Sequence, residues 1–233
     1  MKAMILAAGR GERLRPLTDH IPKPLAEVAG KPLIIYHIER LAALGVKHIV
    51  INHAWLGHKL EQALGDGRRW QLTISYSREL EALETGGGIK KALPLLGTEP
   101  FLVINGDVFI DAPPTINGKP LSLTAIEKAM MNRQAYLWLV DNPPQHPHGD
   151  FGLNGDQVEL TTEPRLTFSG IAVYRPAFFD SSPDGRFGLA PLLKQKMALD
   201  LVAGERFPGY WCDVGTLDRL AQLNDRIAAT ANK

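Results

Sequence analysis

The chain carries 26 Lys and Arg against 25 Asp and Glu over 233 residues, a formal net charge of +1, which excludes a general polyanion-binding surface and hence a nucleic-acid partner. One cysteine, Cys212, excludes an intramolecular disulfide and a zinc site built on cysteine pairs, as suits a reducing cytoplasm. No uninterrupted apolar run reaches the length of a bilayer, so a cytoplasmic protein with one large core, no staples and no membrane partner is expected.

AMILAA (3–8) reads as a strand buried on both faces. In PLIIYHIERLAAL (32–44) the apolar residues recur at helical spacing, with Pro32 at an N1-like position and Gly45 as a stop. HIVINH (48–53) reads as a strand, LGHKLEQAL (56–64) as a helix closed by Gly65, and LTISYS (72–77) as a strand. IKKALPLL is expected to be a short helix cut by Pro94, and FLVIN (101–105) another apolar strand. The alternation predicts an α/β fold with a doubly wound, mostly parallel, Rossmann-like sheet.

The second half is less regular. DAPPTINGKP (111–120) reads as a loop, Thr124 and Glu127 as the capping box of a helix running to about Met131, and AYLWLV (135–140) as a strand. Asn154-Gly155 predicts a hairpin. RLTFSGIAVYR reads as a strand, LAPLLKQKMAL as a helix, and TLDRLAQLNDRIAAT (216–230) as a helix capped by Thr216. Residues 1–233 read as one domain: a first half over 1–110, a second half over 111–215 that adds strands and a lid, and a terminal helix over 216–230.

The chemistry concentrates in GRGERLR (9–15). A dinucleotide fingerprint starting at Gly9 needs glycine at position 14, where Leu14 stands, and GxxxxGK[ST] occurs nowhere. Gly9 to Gly11 can instead offer backbone N–H groups to phosphate while Arg13 and Arg15 supply always-charged donors. The alternative is that these arginines pair with Glu12, Asp19 and Glu27 on a solvated surface. Lys23, in IPKPL, is flanked by prolines that fix the backbone and aim its ammonium. Asp107 follows FLVIN at a strand's C-terminal end, where open α/β sheets bind ligands, although alone it reads as a turn residue. With Asp213 in WCDVGT it makes two carboxylates, and two carboxylates plus phosphates commonly hold Mg2+. His146 and His148 read as loop residues without a third metal ligand.

MILAAGRGERLRPLT, IPKPL, VINGDV and WCDVGT together resemble the sugar-1-phosphate nucleotidyltransferases, or NDP-sugar pyrophosphorylases, over nearly the whole chain. INHAWLG, LETGGGIKKALPLLG, LVDNP, LTFSGIAV and LAPLL are similar to the branch of that family that uridylylates N-acetylmuramate 1-phosphate in peptidoglycan recycling. The mannose guanylyl- and glucose thymidylyl- or uridylyl-transferring branches share several of these strings and stand as alternatives, as does a catalytically silent nucleotide-sugar sensor.

The resemblance implies a GT-A-like nucleotidyltransferase fold with an added β-rich sugar-binding lobe, and a nucleoside triphosphate and a sugar 1-phosphate as partners. It implies Arg15, Lys23 and Asp107 as catalytic, and Asp107 and Asp213 as ligands of Mg2+. Ala8, Gly9, Gly11, Glu12, Arg13, Lys23, Glu84, Gly87 and Asn105 would bind nucleotide. Asp141, Gly152, Ser169 and Gly170 match sugar contacts, and Glu163 stands nearest to an acidic sugar-gripping residue of many members. No hexapeptide repeat follows residue 215, so a monomer or small homo-oligomer is expected.

Overall fold

A computed structural model describes residues 1–231. Its first half runs β1 (Ala3–Leu6), α1 (Leu17–His20), β2 (Glu27–Val28), β3 (Lys31–Pro32), α2 (Leu33–Ala43), β4 (His48–His53), α3 (Gly57–Leu64), β5 (Thr73–Arg78), α4 (Glu84–Leu96) and β6 (Phe101–Asn105). Then come β7 (Val108–Ile110), β8 (Thr115–Ile116), β9 (Lys119–Pro120), α5 (Leu123–Met130), β10 (Ala135–Val140), β11 (Gly152–Asn154) and β12 (Gln157–Glu159). β13 (Thr167–Tyr174), α6 (Leu189–Met197), β14 (Val202–Arg206), β15 (Trp211–Asp213) and α7 (Leu217–Ala231) complete it.

One nine-stranded sheet has the order β11-β12-β14-β10-β13-β6-β1-β4-β5. β6, β1, β4 and β5 are mutually parallel, because helical crossovers return the chain to the same end of the sheet. Beyond β6 the sheet turns mixed: β13 lies antiparallel to both β6 and β10. The chain places β4 on one side of β1 and β6 on the other, and the crevice beyond their C-terminal ends is where such a reversal of strand order leaves room for a ligand. Side chains alternate across the sheet, Ile5, Ile51 and Ile104 entering the core under α2 and Met4, Val50 and Val103 the core under α4 and α6.

Several local expectations change. Pro94 does not cut its helix: α4 begins at Glu84 and continues to Leu96, the proline forfeiting the one backbone bond that an N–H at its position would have made. Its three glycines lie inside the first turns, where a Cβ would come 2.3 Å from the Phe187 ring, 2.1 Å from the Gly185 carbonyl and 2.7 Å from the Asn52 amide respectively. Gly87→Ala is therefore expected to lower stability by about 1–3 kcal/mol, the usual cost of overpacking, which a thermal melt would read. The cap of α5 is Ser122, whose Oγ accepts from the Ala125 amide, not Thr124. The 111–120 segment contains the β8–β9 ribbon, and VAGER and WCD supply β14 and β15, which no expectation covered.

His37 of α2 is fully buried, and its Nε2 donates to the Val108 carbonyl at 2.7 Å. Burial holds its pKa down to about 4, against 6.5 for an ordinary histidine. The unfolded chain thus binds a proton that the folded one refuses, so this contribution is complete above pH 6.5 and is lost as pH falls towards 4. The loss is on the order of 3 kcal/mol. His37→Gln, which cannot titrate, should flatten the pH dependence of unfolding free energy across that window.

Candidate active site

The crevice at the ends of β1, β4 and β6 encloses about 220 Å³ between the loop after β1 (Ala7 to Gly11), Lys23, Asn52, the start of α4, Asn105 and Asp107. Asn52 organises it. The last inward residue of an apolar strand, it accepts from the Ala7 amide at 3.0 Å and donates to Glu79 at 2.7 Å, and Glu79 in turn accepts from the Leu83 amide. The buried pair ties the loop after β1 to the entrance of α4, and all these polar atoms are satisfied by one another. Neither residue stood out in the sequence. The signal was a lone amide ending a run of β-branched residues.

Within GRGERLR the three arginines separate. Arg10 donates to the Thr18 carbonyl and to Asp19 and lies 3.9 Å over the Trp55 ring. Arg15, 59% exposed, reaches Asp19 at 2.9 Å and lines neither the crevice nor its neighbours. These two adopt the solvated pairing that stood as the alternative. Arg13 stands with Gly11, Glu12, Lys23 and Gly215 around an adjoining cavity, with no carboxylate partner among the described residues. Gly11 has φ +69° and its backbone lies against the Lys23 stem.

Lys23 is 12% exposed, and its Nζ meets Asp107 Oδ2 at 2.5 Å. Asp107 sits in the short turn between β6 and β7, held by the Gly106 amide donating to the Leu6 carbonyl at 2.8 Å. β15 pairs antiparallel with β7, placing Asp213 opposite Val108, and the Val214 amide donates to the Asp107 carbonyl at 2.7 Å. Two aspartates far apart in sequence thereby face one pocket of about 240 Å³, which they share with Asn105, His146, Ser169 and Trp211. Arg219 of α7 holds the Asp213 carboxylate at 2.9–3.0 Å, and Gln145 donates to it at 2.7 Å.

Ser169 and Gly170 form a bulge where the β10–β13 register shifts. The Ser169 hydroxyl is turned inward, donating to the Trp138 carbonyl, while its own carbonyl accepts from the Trp211 indole at 2.8 Å. Gly170 lies against the Asn105 amide. Asp141 is 83% exposed and pairs with Arg206, and Gly152 is packed on the Thr162 backbone. Neither lines the two pockets. Glu163 turns to Arg165 in a separate depression with Asn142 and His148. Ala8, Gly9 and Glu84 line the crevice, whereas Gly87 packs on Gly185. Gln145 and His146, set aside as loop residues or unremarked, border the pocket shared by the two aspartates.

The family profile described as Nucleotidyl transferase matches residues 2–163. The chain belongs to this family. Like it, "N-acetylmuramate alpha-1-phosphate uridylyltransferase" of Neisseria meningitidis serogroup B is 51% identical over 227 residues, covering 95% of this chain and 96% of that protein. The protein of the same name from Caulobacter vibrioides is 36% identical over 238 residues, 97% of this chain and 96% of its own length. The solved structure of UDP-glucose pyrophosphorylase complexed with UDP-glucose superposes with a TM-score of 0.77 at 20% identity, covering 98% of both chains, and shows the shared fold.

For a nucleotidyl transferase, the donor set at Asp107 and Asp213 suits a divalent cation. Two hard carboxylates line one open pocket, and among the described residues no group of three or more metal-binding side chains occurs. Such a cation would take its remaining ligands from substrate phosphates and water. Among the described residues no helix is long and apolar enough to cross a membrane.

Proposed function

We propose that this protein transfers a uridylyl group from UTP to N-acetylmuramate 1-phosphate, with Mg2+ as cofactor, in the cytoplasmic recycling of peptidoglycan. The observation that carries the reading is the 51% identity to the Neisseria uridylyltransferase across 95% of the chain, with Lys23, Asp107 and Asp213 at one place in the fold. A phosphate oxygen of the sugar attacks the α-phosphorus, the bond from that phosphorus to the β-phosphate oxygen breaks, and its electron pair leaves on pyrophosphate. The nucleophile is already anionic, so catalysis reduces to alignment and charge stabilisation.

Lys23 bridges the α-phosphate and the incoming sugar phosphate, and the loop from Ala8 to Gly11 holds the nucleotide with its backbone. Glu84, Thr85 and Asn105 border the base and ribose. The sugar occupies the pocket between Asp107, Gln145, His146 and the Ser169–Gly170 bulge. Mg2+, when bound by Asp107 and Asp213, neutralises charge on the reacting phosphate. The test is pyrophosphate release across UTP, dTTP, GTP and CTP against the 1-phosphates of N-acetylmuramate, N-acetylglucosamine, glucose and mannose. Turnover confined to UTP with the muramate is expected. Turnover with another pair retains nucleotidyl transfer and removes the substrate assignment.

A further inference from the structure

Gly215, between Val214 and Thr216, is buried and lines the cavity that also holds Arg13 and Lys23. A Cβ built on it would lie 2.1 Å from Nη2 of Arg219 and 3.1 Å from Nη2 of Arg13. Two guanidinium groups from opposite ends of the chain therefore converge on one α-carbon, which must lack a side chain for both to approach. Arg219 is fixed there: it holds the Asp213 carboxylate through Nη1, its Nε is buried without a partner, and its side chain is 14% exposed.

Like charges gathered this closely have an electrostatic cost that an anion between them removes. Asp213 answers Arg219 on one side and Asp107 answers Lys23 on the other. Glu12 stands at the rim, exposed. Arg13 and Lys23 line this cavity, and Arg13 and Arg219 line the adjoining one with Asp213; were Asp107 and Asp213 to hold a divalent cation, the carboxylates that answer Lys23 and Arg219 would be committed to it. A polyphosphate supplies what these basic groups then lack, since a guanidinium fork matches non-bridging phosphate oxygens.

We infer that Arg219 is a second arginine of the triphosphate site. Its Nη2 acts beside Arg13 on the β- and γ-phosphates of the nucleotide and stays with them as pyrophosphate. When the bond to the α-phosphorus breaks, both electrons leave on pyrophosphate, and the added charge appears where the two guanidinium groups converge. The inference rests on nucleotidyl transfer and not on the choice of base or sugar.

The deciding experiment is calorimetric binding of inorganic pyrophosphate at saturating Mg2+ to the wild type, Arg219→Met and Arg219→Lys, with Mn2+ binding in the absence of phosphate measured by electron paramagnetic resonance. Arg219→Met should weaken pyrophosphate binding about tenfold or more, as expected for one charge-assisted contact. Arg219→Lys should recover part of that loss, with Mn2+ affinity retained or increased. Unchanged pyrophosphate affinity with weakened Mn2+ binding would show that Arg219 only positions Asp213, and would overturn the inference. If Arg219→Met does not fold, the neutral variant Arg219→Gln decides: a change of less than about twofold in pyrophosphate affinity overturns it. Pyrophosphate is common to every substrate pair in the matrix above, so failure of the muramate assignment and failure of this inference are separate results.

Discussion

Lys23→Met is expected to lower turnover by roughly a hundredfold to a thousandfold, the usual effect of deleting a preorganised charge at a developing transition state. Methionine keeps the unbranched stem that packs on Gly11 and loses only the ammonium. The site's geometry makes this charge hard to replace. Pro22 and Pro24 fix the backbone on either side, the stem is nearly buried, and the ammonium is already aimed at Asp107. Little side-chain entropy remains to be lost on binding. Because the charge acts on the phosphate passing through the transition state, kcat should fall far more than KM rises. Steady-state pyrophosphate release, with a thermal melt to verify folding, checks it. A kcat within about tenfold of wild type would remove Lys23 from the chemistry. Lys23→Arg should also fail, because a planar fork needs room that the point charge of lysine does not.

What could be read in the sequence was what local chemistry determines. AMILAA, HIVINH and FLVIN are strands because each is built on an apolar run that a sheet covered on both faces buries, and the glycine stops at Gly45 and Gly65 fell where helices end. IPKPL announced its rigid lysine. What could not be read depends on pairing between distant segments. Nothing in WCD says that it lies antiparallel to VFI, yet that pairing delivers Asp213 to Asp107. The resemblance implied Gly87 as a nucleotide contact, whereas the fold uses the missing side chains of Gly86, Gly87 and Gly88 to let α4 approach Phe187, Gly185 and Asn52. The Ser-Gly pair of β13 suggested sugar contacts, and in the fold it makes the bulge that positions Asn105 and Trp211. Asn52 and Glu79 were missed because a lone amide at the end of an apolar strand does not show which distant carboxylate it will meet.

The opening arginines provide the sharpest contrast between spacing and geometry. Arg13 and Arg15 are two residues apart and equally charged, and the sequence gives no reason to separate them, yet Arg13→Met should reduce kcat/KM by a hundredfold or more, while Arg15→Met should change it by less than about threefold. The turn at Glu12–Leu14 buries Leu14 and sends its neighbours in different directions. Arg13 goes to the cavity with Lys23 and Gly215, and Arg15 to the solvated carboxylate of Asp19, where Arg10 already donates. An exposed ion pair of this kind contributes about 0–1 kcal/mol, and its partner stays satisfied when one arginine is removed. Asp19 has its pKa lowered, first by the hydrogen bond from Arg10 and then by the charge of Arg15, so Arg10 alone keeps most of that site intact. Arg13 has no such substitute: losing it leaves Lys23, and in our inference Arg219, to hold a triphosphate of several negative charges. The comparison needs only the two single variants and wild type assayed side by side, with kcat/KM for the nucleotide as the readout. Equal losses from both variants would mean that the loop rearranges around nucleotide and brings Arg15 inward. A large loss confined to Arg13 is the result this geometry requires.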